Sequence, residues 1–259
     1  MNEFVNVSVM MGAVTETDSL RKTVHYVLDS CNHRDLKEII ICYSQHVTAE
    51  CLAVIKELEK IACDVPILTF MQKRNGLSAI VELIEMARGS HCMLVSSDLP
   101  HDLSILPKMI ECAKKDGNVI ASATRWKKGC HFYGYGKIKL IVNRMAQLFL
   151  RVLFGANVTD YTNPEQIAPT ELYQAIQFEY EGFPILLEMI LKPLRLGYRF
   201  EEIPTNCYSR KQGKSNNSFW QTATYLTAAL HIRFMKKEAI LKPDSVLYKE
   251  LFSIPKTNG

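Results

Sequence analysis

Over its first half the chain alternates short apolar runs with helix-length amphipathic segments, and this alternation constrains the fold more than any other sequence feature. Parallel strands need crossovers between them and are buried on both faces, so the pattern predicts a mostly parallel sheet with flanking helices, an α/β fold. Strands are predicted over residues 5–11, 38–43, 65–70, 91–95 and 119–123, and helices over residues 17–30, 49–61, 77–87 and 105–115. Asp18 and Ser19 are candidate caps of the first helix.

The second half has a different pattern. A long helix is predicted over residues 138–154 with Gly155 ending it, followed by a turn-rich segment over 157–169 and a helical stretch to about residue 196. A strand over 198–203 and a polar, basic loop over 207–218 precede a last amphipathic helix over 219–237. We therefore expect one α/β domain over residues 1–218 and a C-terminal helical appendage over 219–259.

Charge and composition limit the classes of function. The 31 basic and 27 acidic residues give a formal charge of +4, which suits phosphate ligands but is too mild to predict a nucleic-acid partner. Eight cysteines without a CxxC pair predict buried thiols in a reducing compartment. The apolar stretches at 140–154 and 219–235 are interrupted by charged or polar residues, and the start of the chain lacks the pattern of a signal peptide. A cytoplasmic protein without a membrane-spanning helix is expected.

Polar residues follow several predicted strands at the edge where ligands bind in open α/β sheets. They are Ala13-Val14-Thr15-Glu16 after the first strand, Asn75 after the third, Ser96-Ser97-Asp98 and Asp102 after the fourth, and Arg125 after the fifth. Hard oxygen ligands hold a divalent cation while Arg and Lys neutralise phosphate oxygens, so the set predicts a diphosphate and a metal. Any one polar residue at a strand end is more often a helix cap or a solvated loop residue, and Asp98 and Asp102 could cap the helix at 105.

Five segments carry a resemblance to a known family. VSVMMGAVTETDSL resembles VSVVIPAYNEEESL, and NGLSAIVELIEMARGSHCMLVSSDLPHDL resembles N.GLG.A…A.G.YLV.MDADLQHDP. SATRW is similar to S/GTRY, KIKLIVNRMAQLFLRVLFGANVTDYT to a long helix followed by VTD.TSGFR, and GYRFEEIPTNCYSRKQGKSN to GYRI.EVPI.F..R..G.SK. In unbroken order from Asn6 to Ser218, the chain resembles the family 2 glycosyltransferases related to dolichol-phosphate mannose synthase and other polyprenyl-phosphate sugar synthases.

The resemblance implies a GT-A fold, a UDP- or GDP-sugar donor and a Mg²⁺ or Mn²⁺ cofactor. It places Glu16, with Ala13 and Thr15, near the nucleotide base, and Asn75 and Ser97 in the donor site. Asp98, helped by Ser96, is the implied metal ligand. The cations implied to bind donor or acceptor phosphates are Arg125, Lys137, Arg210 and Lys214. A solvated surface position remains an alternative for each of them.

Three departures from the family pattern affect the expected site. Ser96 stands where the DxD motif has its first aspartate, which weakens the metal site without abolishing it, since Asp98, donor phosphates and waters can complete an octahedron. Tyr43-Ser44-Gln45-His46 replaces DDGS, which leaves the donor base open. Asn163-Pro164-Glu165-Gln166 replaces SGFR.

The acceptor is argued from general-base chemistry. An alcohol acceptor needs a positioned base, whereas a phosphate acceptor is already an anionic nucleophile. No segment matches the family's Glu-Asp base motif, and Asp160, the one candidate stand-in, also suits a turn. The sequence therefore favours a polyprenyl phosphate (dolichyl or undecaprenyl) and a role in cell-envelope glycan synthesis.

Three alternatives remain open. One is a family 2 transferase acting on a saccharide hydroxyl, and another is a non-catalytic binding or assembly subunit of the same fold. Sugar-1-phosphate nucleotidyltransferases share the fold class but resemble a Gly-rich first loop, which Gly12 to Glu16 does not provide.

The last helix has one apolar face with basic residues at its end. The apolar residues are Phe219, Trp220, Ala223, Leu226, Leu230 and Phe234, and the basic ones are Arg233, Lys236 and Lys237. This pattern predicts peripheral contact with the cytoplasmic face of a membrane. Packing on the core or in a homodimer would use the same face.

Overall fold

The computed structural model describes residues 2–99, 101–208 and 219–253, without the side chains of residues 219–223 and 253. The described strands are β1 (Val7–Ala13), β2 (Leu36–Tyr43), β3 (Ile67–Met71), β4 (His91–Leu94), β5 (Val119–Thr124), β6 (Phe132–Tyr133), β7 (Gln166–Pro169), β8 (Arg199–Pro204) and β9 (Cys207–Tyr208). The described α-helices are α1 (Asp18–Ser30), α2 (Ala49–Leu58), α3 (Ala79–Met86), α4 (Ile105–Lys115), α5 (Lys137–Phe154), α6 (Thr170–Ala175), α7 (Ile185–Leu196), α8 (Phe219–Phe234) and α9 (Val246–Tyr248).

Seven strands form the central sheet in the order β3-β2-β1-β4-β7-β5-β8. All neighbours pair in parallel except β7, which runs antiparallel to both β4 and β5. The mostly parallel sheet expected from the sequence is confirmed. β6 and β9 pair in parallel as a separate two-stranded sheet, so the predicted loop over 207–218 begins as strand β9.

Helices cover both faces of the sheet because successive strand residues are apolar on both sides. Val9 and Met11 of β1 pack in the core beneath α1, α2 and α4, whereas Met10 belongs to the core beneath α3, α6, α7 and α8. Continuous apolar runs of this kind are typical of strands buried on both faces. The core is therefore two apolar layers separated by the sheet.

Most element boundaries agree with the sequence expectations to within a few residues. Helix α4 has the predicted bounds, and α5 ends at Gly155, whose φ of +61° places it in the left-handed region that favours glycine. All eight cysteines are free thiols. Among the described residues no helix is long and apolar enough to cross a membrane.

Two local expectations are wrong. Thr17, not Asp18 or Ser19, is the N-cap of α1, and Asp18 instead forms an ion pair with Arg21 at 2.7 Å. Strand β7 lies inside the segment expected to be turn-rich. Its four residues are too few to show strand periodicity, Pro169 is the last of them, and Pro164 lies two positions before the first. Pairing with β4 and β5 therefore creates a strand that its own sequence does not indicate.

Helix α8 shares the second core layer with α7. Its Ala228, Ala229 and Ile232 are buried there, and the Arg195 side chain of α7 donates to the backbone oxygens of Arg233 and Met235 at 2.6 and 2.9 Å. Further along, Lys242 N donates to Ala175 O at 2.8 Å. The described part of the C-terminal segment thus packs on the α/β core, and the predicted domain boundary at residue 218 stays a prediction.

Candidate active site

The ends of β1, β4 and β5 meet at the carboxyl edge of the sheet. The Ser97 hydroxyl donates to Gly12 O, which ties the segment after β4 to β1, and Ala123 N on β5 donates to Glu165 O at 2.9 Å. Leu99, directly after Asp98, has a φ of +52°, a conformation that is uncommon for a residue other than glycine. Such outliers persist where the surrounding structure imposes them, often at ligand sites.

A buried ion pair joins Arg125 to Asp160. The Arg125 guanidinium donates from Nε and Nη2 to the two carboxylate oxygens at 2.7 Å each, and Arg125 N donates to Oδ2 at 3.1 Å. The side chains are 15% and 0% exposed, respectively. Burial alone would raise the pKa of Asp160, but the charge and hydrogen bonds of Arg125 outweigh it and lower that pKa. The pair is therefore ionised.

The segment that carries Asp160 is fixed from two sides. The Glu202 carboxylate on β8 accepts from Thr159 N at 2.7 Å and from Asp160 N at 3.0 Å. Gln147 on α5 accepts from Tyr161 N at 2.7 Å and donates to Thr162 Oγ1 at 3.0 Å. These bonds hold Arg125 in one orientation beside the sheet edge.

Glu165 is a second buried carboxyl group at this edge, and only 2% of its side chain is exposed. Its Oε1 accepts from Ser96 N at 3.4 Å, whereas Oε2 has no hydrogen-bond partner. Burial raises the pKa of Glu165 to about 8, and the charge of Asp98 acts in the same direction. A buried oxygen without a partner is costly, so it calls for an explanation.

His101 does not supply the missing partner. Its Nε2 lies 3.8 Å from Glu165 Oε2, beyond hydrogen-bond reach, while its Nδ1 pairs with Asn206 O at 3.2 Å. Burial, together with the charge of Arg125, lowers the pKa of His101 to about 4, so the ring is neutral at pH 7. In the tautomer that the Asn206 bond requires, Nε2 carries no proton to donate.

A divalent cation fits the oxygen atoms of this edge. Within residues 2–99, 101–208 and 219–253, no group of three or more His, Cys, Asp or Glu is arranged to hold a metal by itself. Mg²⁺ is commonly held by only one or two carboxylates together with substrate phosphates and waters. Asp98 and Glu165 provide two carboxylates, and the partnerless Oε2 is the kind of atom that a cation would satisfy.

The remaining sequence-derived site residues have varied positions. Ala13 is buried at the end of β1, and the Glu16 carboxylate accepts from Val14 N and Thr15 N at 2.7 and 2.9 Å within its own loop. Asn75 and Lys137 are exposed. Arg210 and Lys214 lie outside the described residues. The roles assigned to these residues remain predictions.

Sequence reasoning assigned no role to two residues of this edge, Glu165 and His101. Glu165 was visible as one letter of the NPEQ segment that replaces SGFR, and His101 belongs to the SSDLPHD segment. His101 lies three positions after Asp98 and matches the histidine of the family's DADLQHD pattern. Glu165 has no fixed spacing from Asp98, because its contact depends on β7 running antiparallel beside β4.

Helix α5 carries an exposed face that we call the apolar stripe. Its residues are Ile138, Ile141, Val142, Met145, Leu148, Phe149 and Val152, whose exposed fractions lie between 44% and 84%. Spacings of three and four residues place them on one side of the helix. The opposite side carries Gln147, which holds the Asp160 segment. On α8, the predicted face is exposed where it is described, at Leu226, Leu230 and Phe234.

The chain is similar to known proteins over part of its length. Residues 8–192 match the model of the family described as Glycosyl transferase family 2. An undecaprenyl-phosphate mannosyltransferase of Micrococcus luteus is 25% identical over 127 residues, 48% of this chain and 51% of that protein. A dolichol-phosphate mannosyltransferase of Pyrococcus furiosus is 27% identical over 124 residues, 46% of this chain and 35% of that protein. The matches thus span about half or less of the length of these curated relatives.

Solved structures agree on the fold. Glucosyl-3-phosphoglycerate synthase from Mycobacterium tuberculosis, in complex with Mn²⁺, UDP and phosphoglyceric acid, superposes with a TM-score of 0.64 at 14% identity, covering 90% of this chain and 80% of that one. The same enzyme with Mg²⁺ and UDP gives a TM-score of 0.63 at 15% identity, covering 88% and 79%. At this identity the likeness shows the fold alone, and it confirms the expected GT-A arrangement.

Proposed function

The chain belongs to glycosyl transferase family 2, and from this we propose that it transfers a sugar from a nucleotide diphosphate sugar to a polyprenyl phosphate. One observation carries the proposal. At the carboxyl edge of the sheet, the buried Glu165 accepts from Ser96 N, two residues before Asp98, and the Arg125–Asp160 pair lies directly after strand β5. Carboxylates and a guanidinium on one edge are what a metal-bound diphosphate needs.

The donor half of the proposal concerns the leaving group. The nucleoside diphosphate gains negative charge as the glycosidic bond breaks, and a bound Mg²⁺ or Mn²⁺ would stabilise that charge. Asp98 would hold the cation from the segment after β4. Arg125, fixed by Asp160 and still partly exposed, would contact a phosphate oxygen, as would Lys137, Arg210 and Lys214. Relatives named as mannosyltransferases and a fold neighbour with Mn²⁺ and UDP support this reading.

The acceptor half rests on what Asp160 is doing. Its carboxylate is fully buried and engaged by Arg125, so it is poorly placed to take a proton from an alcohol. We assign Asp160 to positioning Arg125 and not to the role of general base, for which the sequence offered it as the one candidate. A phosphate acceptor needs no base and meets the same cationic edge.

The surface of α5 supports an acceptor that is a lipid. The apolar stripe is accompanied on the same helix by Lys137, Lys139, Arg144 and Arg151. An apolar face with basic residues beside it suits the interface of an anionic membrane. Arg144 lies over the Trp126 ring at 5.3 Å, and Trp126 follows Arg125, so the same helix reaches the proposed site.

A two-step experiment tests the proposal. Thermal-shift screening of UDP-, GDP- and CMP-sugars, each with and without Mn²⁺, identifies a donor whose stabilisation depends on the metal. Transfer of that sugar is then measured with a polyprenyl phosphate and with saccharide acceptors. We expect transfer to the lipid phosphate and its loss in Asp98→Ala and Arg125→Lys. Transfer to the saccharide alone would identify the hydroxyl-directed alternative, and donor binding without either product would identify a non-catalytic subunit.

A further inference from the structure

We infer that Glu165 is a ligand of the divalent cation and takes over from the aspartate that Ser96 replaces. The inference rests on the proposed function, since it concerns the metal of the same site. It adds a residue that lies on a different element of the fold, 67 positions along the chain from Asp98. The metal site of this chain would therefore be shared between the segment after β4 and the start of β7.

Glu165 lies next to the position of the missing aspartate. Ser96 stands where the motif has its first carboxylate, and the nearest hydrogen bond of Glu165 Oε1 is with Ser96 N at 3.4 Å. Glu165 itself stands in a segment where the family pattern has no acidic residue, SGFR. One carboxylate is lost at position 96, and another arrives in contact with that position. This is the arrangement expected if the second replaces the first.

One oxygen of Glu165, Oε2, is buried without a hydrogen-bond partner. Asp160, the other fully buried carboxylate of the edge, has both oxygens engaged by Arg125. Glu202 accepts from Thr159 and Asp160. Glu165 Oε2 alone of these carboxylate oxygens has no hydrogen bond, although it is buried. Because a buried carboxyl oxygen without a partner is costly, Oε2 marks a position where a ligand belongs, and a cation there would favour the charged form of Glu165.

The coordination chemistry is consistent with this assignment. Mg²⁺ and Mn²⁺ favour oxygen ligands, and two protein carboxylates leave the remaining positions for diphosphate oxygens and waters. The positive charge of the cation would also stabilise the ionised form of Glu165, which burial disfavours. The cation then depends on the β4–β7 pairing, in which Leu94 faces Gln166, the residue after Glu165.

The experiment compares nucleotide affinity with and without metal. Calorimetric titrations with UDP, and separately with GDP, are run in saturating Mn²⁺ and in EDTA. The dissociation constant in EDTA divided by that in Mn²⁺ is the ratio that measures the metal contribution. Glu165→Gln keeps the shape and removes the charge. We expect it to lower the ratio by at least about tenfold, since even partners outside the coordination sphere typically account for that much affinity. Asp98→Asn is expected to do the same.

Two variants make the result specific to Glu165. Glu111→Gln makes the same chemical change on the surface of α4, where Glu111 pairs with Lys114 at 3.0 Å, and should leave the ratio unchanged. Ser96→Asp in the Glu165→Gln background returns a carboxylate to the motif position and should restore the ratio. Should Glu165→Gln alone fail to fold, Glu165→Asp, which keeps the carboxyl group but shortens the side chain, takes its place. A lowered ratio supports the inference, and the parent's ratio overturns it.

The outcomes separate this inference from the proposed function. A Glu165→Gln protein that keeps the parent's ratio, while Asp98→Asn loses it, overturns the role of Glu165 and leaves the transferase proposal intact. A parent whose affinity for both nucleotides is the same in Mn²⁺ and in EDTA overturns the metal site as a whole. Sugar transfer measured under the same conditions then decides whether a metal-independent transferase remains.

Discussion

The two halves of the sheet differ in how completely their buried polar side chains are hydrogen-bonded. In the half formed by β1 to β4, the buried carboxylate of Glu38 accepts from Ser8 Oγ at 2.7 Å and from Arg88 N at 2.9 Å. All of the described buried side-chain nitrogen and oxygen atoms without a hydrogen bond lie in the other half, which contains β5, β7 and their connections. They belong to Ser122, Trp126, Asn163, Glu165, Gln166 and Thr170.

This difference teaches where the chain gives up stability for function. Native proteins satisfy nearly all buried polar groups, and the exceptions concentrate at functional sites. In the first half, apolar packing and complete hydrogen bonding stabilise a scaffold. In the second, an ion pair and several partnerless atoms surround the edge where a ligand is proposed to bind. Substitutions chosen in the two halves can break or sharpen this contrast.

The largest expected effect comes from the ion pair of the site half. Asp160→Asn leaves the Arg125 charge buried without its carboxylate, and breaking such a pair typically destabilises a protein by about 3–5 kcal/mol. Urea unfolding followed by circular dichroism measures the change. Arg199→Gln is the matched control, because Arg199 pairs with Asp116 at the surface with 75% of its side chain exposed. Comparable losses in both variants would remove the distinction between the two pairs.

The next effect tests the scaffold half. Ile40 on β2 is fully buried in the layer beneath α3, so Ile40→Ala should lower the free energy of unfolding by about 2–5 kcal/mol. Ile40→Val removes one methylene and should cost about 0.5–1.5 kcal/mol. The folded fraction of either variant should still bind nucleotide with the parent's dependence on Mn²⁺. A selective loss of that dependence would show that the halves are not separate in function.

Replacing either of two buried glutamines should change stability by a smaller amount, with opposite signs for the two positions. Neither amide atom of buried Gln166 has a hydrogen bond, whereas buried Gln147 bonds through both. Partnerless buried groups cost about 1–3 kcal/mol, so Gln166→Leu should raise stability by about 1 kcal/mol. Gln147→Leu should lower it by about 1–3 kcal/mol, because it leaves Tyr161 N and Thr162 without their partner. Thermal melts of both proteins decide, and a destabilised Gln166→Leu would show that this amide is satisfied in solution.

The same division separates what the sequence could and could not predict. Strands β1, β2 and β4 are apolar on both faces and are bounded by helices with clear periodicity, so their existence follows from local pattern. Arg125 and Asp98 directly follow such strands, and their place at the edge follows from the parallel arrangement. Strand β7 has four residues, no periodicity, a proline as its last residue and another two positions before its first, so only pairing with its neighbours makes it a strand.

Residues that depend on β7 were therefore beyond local reasoning. Glu165 meets Ser96 because β7 inserts antiparallel between β4 and β5, a topology that no short motif encodes. The exposure of the apolar stripe on α5 could not be predicted for a different reason. An apolar face at three- and four-residue spacing looks the same in sequence whether it packs on a core or faces outward, and only the packing of the other elements shows which occurs.

The smallest effect on stability, with a large effect on binding, is expected on the apolar stripe. Ile141 and Met145 are one turn apart and exposed, so Ile141→Glu with Met145→Glu should change stability by less than about 0.5 kcal/mol per site. The parent should float with anionic vesicles at low salt, since basic residues near such a surface contribute about 1 kcal/mol each, and the variant should not.

Leu230→Glu with Phe234→Glu applies the same charges to α8 and shows whether that helix shares the contact. Size-exclusion chromatography of each protein tests the competing role of the stripe as a contact between two copies. A parent that never floats, but dimerises until the stripe is charged, would assign this face to self-association and separate it from the lipid acceptor.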